Sequence, residues 1–356
     1  MSSSSTSDGD RRRFEGASYT NPVYAGYFAD PFVWRQGGSY YAVGTGPAEA
    51  AGQLDASNRA GRDGDHDRSL VFPLLQSEDF VGWRPAGRAL VRPDPALGDT
   101  FWAPEIAFAG GVFYLYYSVG HGDRDHHLRV AASAHPLGPY RDVGAPLTDP
   151  GRCPFAIDPH PFRDDDGRWY LFYAADFLDE DAGTGGAPVR AGTALVVAAL
   201  ETMTRLAAGG AATTVLRARH DWQRFQIDRA IYGRRLDWHT LEGPSVRKHA
   251  GRYYCFYSGG RWETDRYGVD YAVAERVLGP YSDAGAERGP RVLRSAAGAL
   301  GPGHNSLVEG PGGATYLAYH AWDRGMTARR MCLDRLDWTG HGPRSPGPTT
   351  RAQPIG

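Results

Sequence analysis

Three carboxylates in this 356-residue chain stand in the same kind of place. Asp30 lies in Phe28-Ala-Asp-Pro-Phe-Val33, Asp158 in Ala156-Ile-Asp-Pro-His-Pro-Phe162, and Glu242 in Leu241-Glu-Gly-Pro-Ser-Val246. Proline within two residues of the acid starts a strand without wasting a ladder donor, so each acid marks where a strand begins. Turn chemistry alone accounts for one Asp-Pro or Glu-Gly-Pro. Three copies with the same sequel ask for a joint role. Carboxylates gathered at one point suit glycoside hydrolysis, in which one carboxylic acid protonates the leaving oxygen and a second carboxylate activates water or attacks carbon. The donor needs a pKa well above the ordinary glutamate value, and a third carboxylate nearby raises it, because like charges resist joint ionisation.

A repeated phrase supplies the scaffold. Gly38-Ser-Tyr-Tyr41, Gly111-Val-Phe-Tyr114, Gly167-Arg-Trp-Tyr170, Gly251-Arg-Tyr-Tyr254 and Gly313-Ala-Thr-Tyr316 each read as a tight turn followed by an aromatic strand. Five residues before each glycine stands an apolar residue (Val33, Ile106, Phe162, Val246, Val308), and a little earlier come Asp30, Glu105, Asp158, Glu242 and His304. The glycines are 73, 56, 84 and 62 residues apart, too far and too irregular for a thin solenoid. That spacing suits blades of about four strands with variable loops. Third strands follow at Leu70–Ser77, Leu128–Ser133, Ala194–Leu200, Tyr271–Ala274 and Arg330–Asp334. The expectation is an all-β, five-bladed β-propeller over residues 21–340, with polar tails at 1–20 and 341–356. Large insertions fall between Pro47 and Arg68 and between Asp176 and Glu242.

Net charge is −2, with acidic and basic residues interspersed. No basic stripe points to nucleic acid and no charge run to an interaction tail. The first twenty residues contain no apolar run of the kind a secretion signal or membrane span needs, so the expectation is a cytoplasmic protein with no membrane partner. Cys153, Cys255 and Cys332 are dispersed and odd in number, which argues against disulfides and thiolate zinc. Asp63-Gly-Asp-His-Asp67 fails as a calcium loop, because Arg68 and Leu74 stand where glycine and glutamate are needed.

The set Asn21-Pro22…Ala29-Asp30-Pro31, Trp102-Ala-Pro-Glu105, Ile157-Asp158-Pro159, Glu242-Gly-Pro244 and Gly301-Pro-Gly-His-Asn-Ser306 resembles family 43 of the glycoside hydrolases, from about Asn21 to Trp338. The resemblance implies a five-bladed propeller and hydrolysis with inversion. It makes Asp30 the general base, Glu242 the general acid and Asp158 the residue that raises and orients the acid. His304 matches a histidine near an axial calcium or other cation, and no organic cofactor is implied. The sucrose- and fructan-cleaving propellers fit less well: their first acid belongs to an Asn-Asp-Pro-Asn-Gly type motif, and their second is followed by cysteine where this chain has Gly243.

Phe101 and Trp102 border the expected mouth and suit stacking on a sugar face, with core packing the alternative. Arg329 resembles an arginine that reaches substrate in some members. Glu105 is read as a brace for its blade, and His121, His126 and His127 as a polar loop cluster. The reading that follows is an exo-acting glycosidase releasing a terminal pentose from plant cell-wall oligosaccharides. An α-L-arabinofuranosidase comes first and a β-xylosidase second. A non-catalytic carbohydrate-binding propeller is the rival from another class.

Overall fold

The computed structural model describes residues 16–47, 69–180, 188–207 and 212–355. The Asp63–Asp67 segment and most of the first insertion lie outside them. Among the described residues there is no α-helix, only short 3-10 turns between strands.

After a two-residue strand β1 (Ser18–Tyr19) the chain runs as antiparallel meanders. The first is β2 (Ala29–Gln36), β3 (Ser39–Thr45), β4 (Leu70–Ser77) and β5 (Arg84–Val91); the second is β6 (Thr100–Ala109), β7 (Val112–His121), β8 (Arg124–Ser133) and β9 (Arg141–Asp142). The third is β10 (Ala156–Arg163), β11 (Trp169–Phe177) and β12 (Gly192–Thr202), with β13 (Arg205–Leu206) and β14 (Thr213–Leu216) both paired to β12. A hairpin of β15 (Arg224–Ile231) with the first half of β16 (Arg234–His249) leads into the fourth, completed by β17 (Arg252–Gly259) and β18 (Gly268–Ala274). The last is β19 (Leu300–Glu309), β20 (Thr315–Trp322) and β21 (Arg329–Arg335). Two parallel pairs, Gly192 with His239 and Thr193 with Thr240, stitch the third meander to the fourth.

The turns explain the glycines. Gly110 and Gly111 both have positive φ in the two-residue link between β6 and β7, a conformation glycine adopts without strain. The motif tyrosines share one register: Tyr41 pairs with Trp34, Tyr114 with Ala107, Tyr170 with Phe162, Tyr254 with Arg247 and Tyr316 with Val308.

The core is divided among the gaps between successive meanders. Val43 and Leu74 meet Ile106, Leu115 and Tyr117; Tyr116 and Val130 meet Leu171 and Tyr173; Phe172 and Leu195 meet Leu241 and Tyr257. Phe256 and Val269 meet Leu317 and Tyr319. Tyr316, Ala318 and Leu333 then meet Val33 and Tyr40 of the first meander. The leading strands also touch in sequence, β2 with β6, β6 with β10, β10 with β16, β16 with β19, and β19 with β2. Burying each large side chain in these gaps stabilises the fold by about 1.5–3 kcal/mol.

The described residues that flank the meanders pack against them. Residues before β2 lie along β21: Val23 N–H and Phe28 N–H donate to the carbonyls of Met331 and Arg329, each at 2.9 Å. Asn21 exchanges two 2.8 Å bonds with the backbone of Leu333. At the other end β22 (Asp337–Thr339) pairs with β23 (Gly342–Arg344), and β24 (Gln353–Pro354) pairs with β1. Thr349 bonds the buried Asp334, and Ile355 enters the last core. Proline- and glycine-rich composition made 341–356 read as a tail, but fixed turns need the same residues.

Candidate active site

Each leading strand carries a bulge at its start, and the bulges build the site. The ladder slips between Ala29 and Phe32, Trp102 and Glu105, Ile157 and His160, Glu242 and Ser245, and Gly303 and Ser306. The first residue of each bulge, namely Asp30, Ala103, Asp158, Gly243 and His304, has φ between 46° and 58°. Proline follows in four of the five and Asn305 in the last. A bulge frees an N–H from the ladder, and a buried N–H needs a partner. A side chain of the adjoining meander supplies it: Thr45 Oγ1 accepts from Ala103 at 2.8 Å, Asp158 Oδ2 from Gly243 at 2.8 Å, and Ser258 Oγ from His304 at 2.7 Å. His320 Nδ1 lies 3.1 Å from the Asp30 amide.

Asp30, Asp158 and His304 thus share one structural position. Glu242 does not; it precedes its bulge residue by one, in the place that Trp102 has in β6. Glu105 lies two residues past its bulge and accepts from His160 Nδ1 at 2.7 Å, while His160 Nε2 accepts Val246 N–H at 3.0 Å. An imidazole that accepts at Nε2 carries its proton at Nδ1, so Glu105 and His160 brace three meanders together.

The charges around the acids are uneven. His304 Nδ1 is 3.5 Å from Asp30 Oδ1 and 3.9 Å from Asp158 Oδ2. Arg329 Nη1 lies 3.3 Å from the same Asp30 oxygen. Burial opposes ionisation of Asp30, but the His304 and Arg329 charges outweigh it and hold the carboxyl well below the usual range. Burial raises Asp158 to about 6, with the Asp30 and Glu105 charges adding to it and His304 opposing. Burial raises Glu242 to about 8, helped by the Asp158 charge. His304 itself is raised despite burial, because Asp30, Asp158 and Glu242 surround it. Near neutral pH the site therefore holds an ionised Asp30 and a protonated Glu242.

A family model for glycosyl hydrolases family 43 matches residues 19–343. The chain belongs to that family. It is accordingly a glycoside hydrolase. A thermostable family-43 glycoside hydrolase of known crystal structure is similar at a TM-score of 0.75 with 30% identity, over 95% of this chain and 98% of that one. A β-D-galactofuranosidase of Aspergillus niger is 28% identical over 89% of this chain and 81% of its own length. An extracellular exo-α-(1→5)-L-arabinofuranosidase of Cellvibrio japonicus is 24% identical over 88% and 84%.

Several side chains around these carboxylates carry no sequence motif. Tyr267 donates its hydroxyl to Glu242 Oε1 at 2.5 Å. Arg329 is held by Tyr27, whose hydroxyl accepts from Nε and Nη2 at 3.0 and 2.8 Å, and it stacks on Trp262 at 4.4 Å. Trp102 stacks on the buried His126 ring at 3.8 Å, which backs the indole rigidly. Phe101 points elsewhere: its ring lies against Phe72 and Tyr117 in the gap between the first two meanders. Its expected place at a sugar face gives way to core packing, the alternative that strand alternation favours for the neighbour of Trp102. Among the described residues no three His, Cys, Asp or Glu side chains converge as a metal-binding set. His304 faces two carboxylates as a cation would, and a hard metal ion takes six to eight oxygens. These residues do not by themselves form a cage for the expected axial ion.

Proposed function

We propose that this chain is an inverting, exo-acting glycosidase that releases a terminal pentose, α-L-arabinofuranose, from plant cell-wall oligosaccharides. The observation that carries the acid–base part is the opposed environments of two carboxyls: Asp30 held ionised by His304 and Arg329, and Glu242 kept protonated by burial beside Asp158. Separated pKa values of this kind assign base and acid. Asp30 takes a proton from water as it attacks the anomeric carbon, while Glu242 protonates the departing oxygen. Asp158 maintains the acid. Trp102 on its His126 backing offers a flat apolar face to the sugar, and Arg329 approaches it beside Asp30. The pentose assignment draws on relatives named for arabinofuranosidase and xylosidase activity. β-Xylosidase action is the second reading, supported by the latter relative.

The architecture is read in the same way as a five-bladed propeller. Supporting it are the cyclic contacts of the leading strands, the five shared cores and the N-terminal segment laid against β21 as the outer strand of the last blade.

Chromogenic arabinofuranosides, xylosides and galactofuranosides separate the substrate readings, and NMR of the first product tests the stereochemistry. Inversion is expected; a retained anomer makes Asp30 a nucleophile instead. Asp30→Asn should abolish turnover of every substrate. Glu242→Gln should spare activated aryl glycosides, which need little protonation, and lose roughly 100-fold or more on sugar leaving groups.

A further inference from the structure

The geometry points to Tyr267 as the positioning residue of Glu242, with Gly303 as the slot that admits it; this rests on the reading of Glu242 as the acid. Tyr267 lies in the turn between β17 and β18 and is 1% exposed, so its placement is a matter of packing rather than of a mobile surface ring. Its ring stacks on His320 with centroids 5.9 Å apart and planes 10° from parallel. Against the edge of the ring lies Gly303, the cross-strand partner of His320 and the residue of β19 that corresponds to Glu242 in β16 and to Trp102 in β6. A Cβ on Gly303 would overlap the ring carbons Cε1 and Cδ1 of Tyr267. Glycine is required there by the ring and not by the backbone, because Gly303 has no positive φ. Held in this slot, the phenol reaches Glu242 Oε1 at 2.5 Å.

That single bond does two things. A glutamate side chain has three torsions, and catalytic geometry tolerates an error of only about 0.5 Å. Anchoring Oε1 by a donor leaves Oε2 as the oxygen that carries the proton towards the leaving group. The same bond, donated to a carboxylate, favours its ionised form. Tyr267 thus restrains the rise imposed by the rest of the surroundings. The groups facing Glu242 are Asp158 from β10, Asp30 from β2, His304 from β19 and Tyr267 itself. His320, on which Tyr267 stacks, also lies against Asp30, so one aromatic stack joins the holders of acid and base.

Tyr267→Phe keeps the ring, its stack and its cover over Gly303, and removes only the hydroxyl. Expected is a fall in kcat of roughly 10- to 100-fold on substrates with a sugar leaving group, against less than about threefold on activated aryl glycosides. KM should change little, and the alkaline limb of the kcat/KM profile should move to higher pH. Gly303→Ala should give the same leaving-group signature with Tyr267 present and little further loss in a Tyr267→Ala background, where the added methyl has room. A Tyr267→Phe enzyme that matches wild type on both substrate classes overturns the inference. So does an equal loss on both with the alkaline limb unmoved, which would make Tyr267 merely structural. Glu242→Gln, assayed alongside, separates the two ideas: if it hydrolyses sugar leaving groups normally, the acid assignment fails and the role of Tyr267 fails with it.

Discussion

Asp158→Asn tests the electrostatic reasoning most directly, because it removes one charge and little else. Asparagine keeps an oxygen to accept the Gly243 N–H that Asp158 now accepts at 2.8 Å, so the bulge retains its partner. What disappears is the negative charge that, after burial, does most to raise Glu242 to about 8. Without it Glu242 ionises more easily and its pKa falls; burial still holds it above the unperturbed value. If the charge supplies about 1.5 pH units of the rise, the change is worth about 2 kcal/mol. The protonated fraction of Glu242 then drops roughly fourfold at pH 7 and roughly fifteenfold at pH 8. The assay is the pH dependence of kcat/KM, which reports groups of the free enzyme. The alkaline limb should move to lower pH, and activated aryl glycosides, which need no acid, should be far less affected. An alkaline limb that stays in place, or moves up, refutes the assignment of Asp158 as the residue that maintains the acid.

His304→Gln removes the cation between Asp30 and Asp158, so both carboxyls should become harder to ionise. The acid limb of the same profile should move to higher pH, and an unmoved limb would show that His304 carries no charge there. Asn21→Ala leaves the buried Leu333 N–H and C=O without their side-chain partner. It should lower stability by about 1–3 kcal/mol, read from urea unfolding, with kcat unchanged; wild-type stability would mean that the N-terminal segment does not close the fold.

The parts of the site that could be read in the sequence are those set by the backbone. Asp-Pro at 30–31 and 158–159 marks a bulge whose first member has positive φ and whose proline needs no ladder partner. Both residue types follow from that geometry, so the position could be found without seeing it. Glu242 shares the nearby proline but not the structural position. It stands nine residues before its turn glycine, as Asp158 does, but β10 and β11 are joined by five residues and β16 and β17 by two. Equal counts across unequal turns concealed the offset of one residue that separates Glu242 from the bulge position. Tyr267 reaches Glu242 from a turn, and Trp262 and Tyr27 act on Asp30 only through Arg329, so spacing along one strand carries no trace of them.

The residue four beyond each motif tyrosine carries a further signal. Those residues are Thr45, Ser118, Ala174, Ser258 and His320, and each faces the residue just before a bulge. Thr45, Ser258 and His320 take the freed N–H of the following bulge, at Ala103, His304 and Asp30 in turn. Ala174 has no polar atom to offer. The N–H it would have taken belongs to Gly243, beside the acid, and it goes to Asp158 instead. The one apolar member of the series thereby ties the Asp158 carboxylate to the backbone next to Glu242, where its charge has most effect on the acid. A polar residue at 174 would compete for that N–H and loosen the tie. The departure from the repeat falls where the proposed acid–base chemistry asks for the two carboxyls close together.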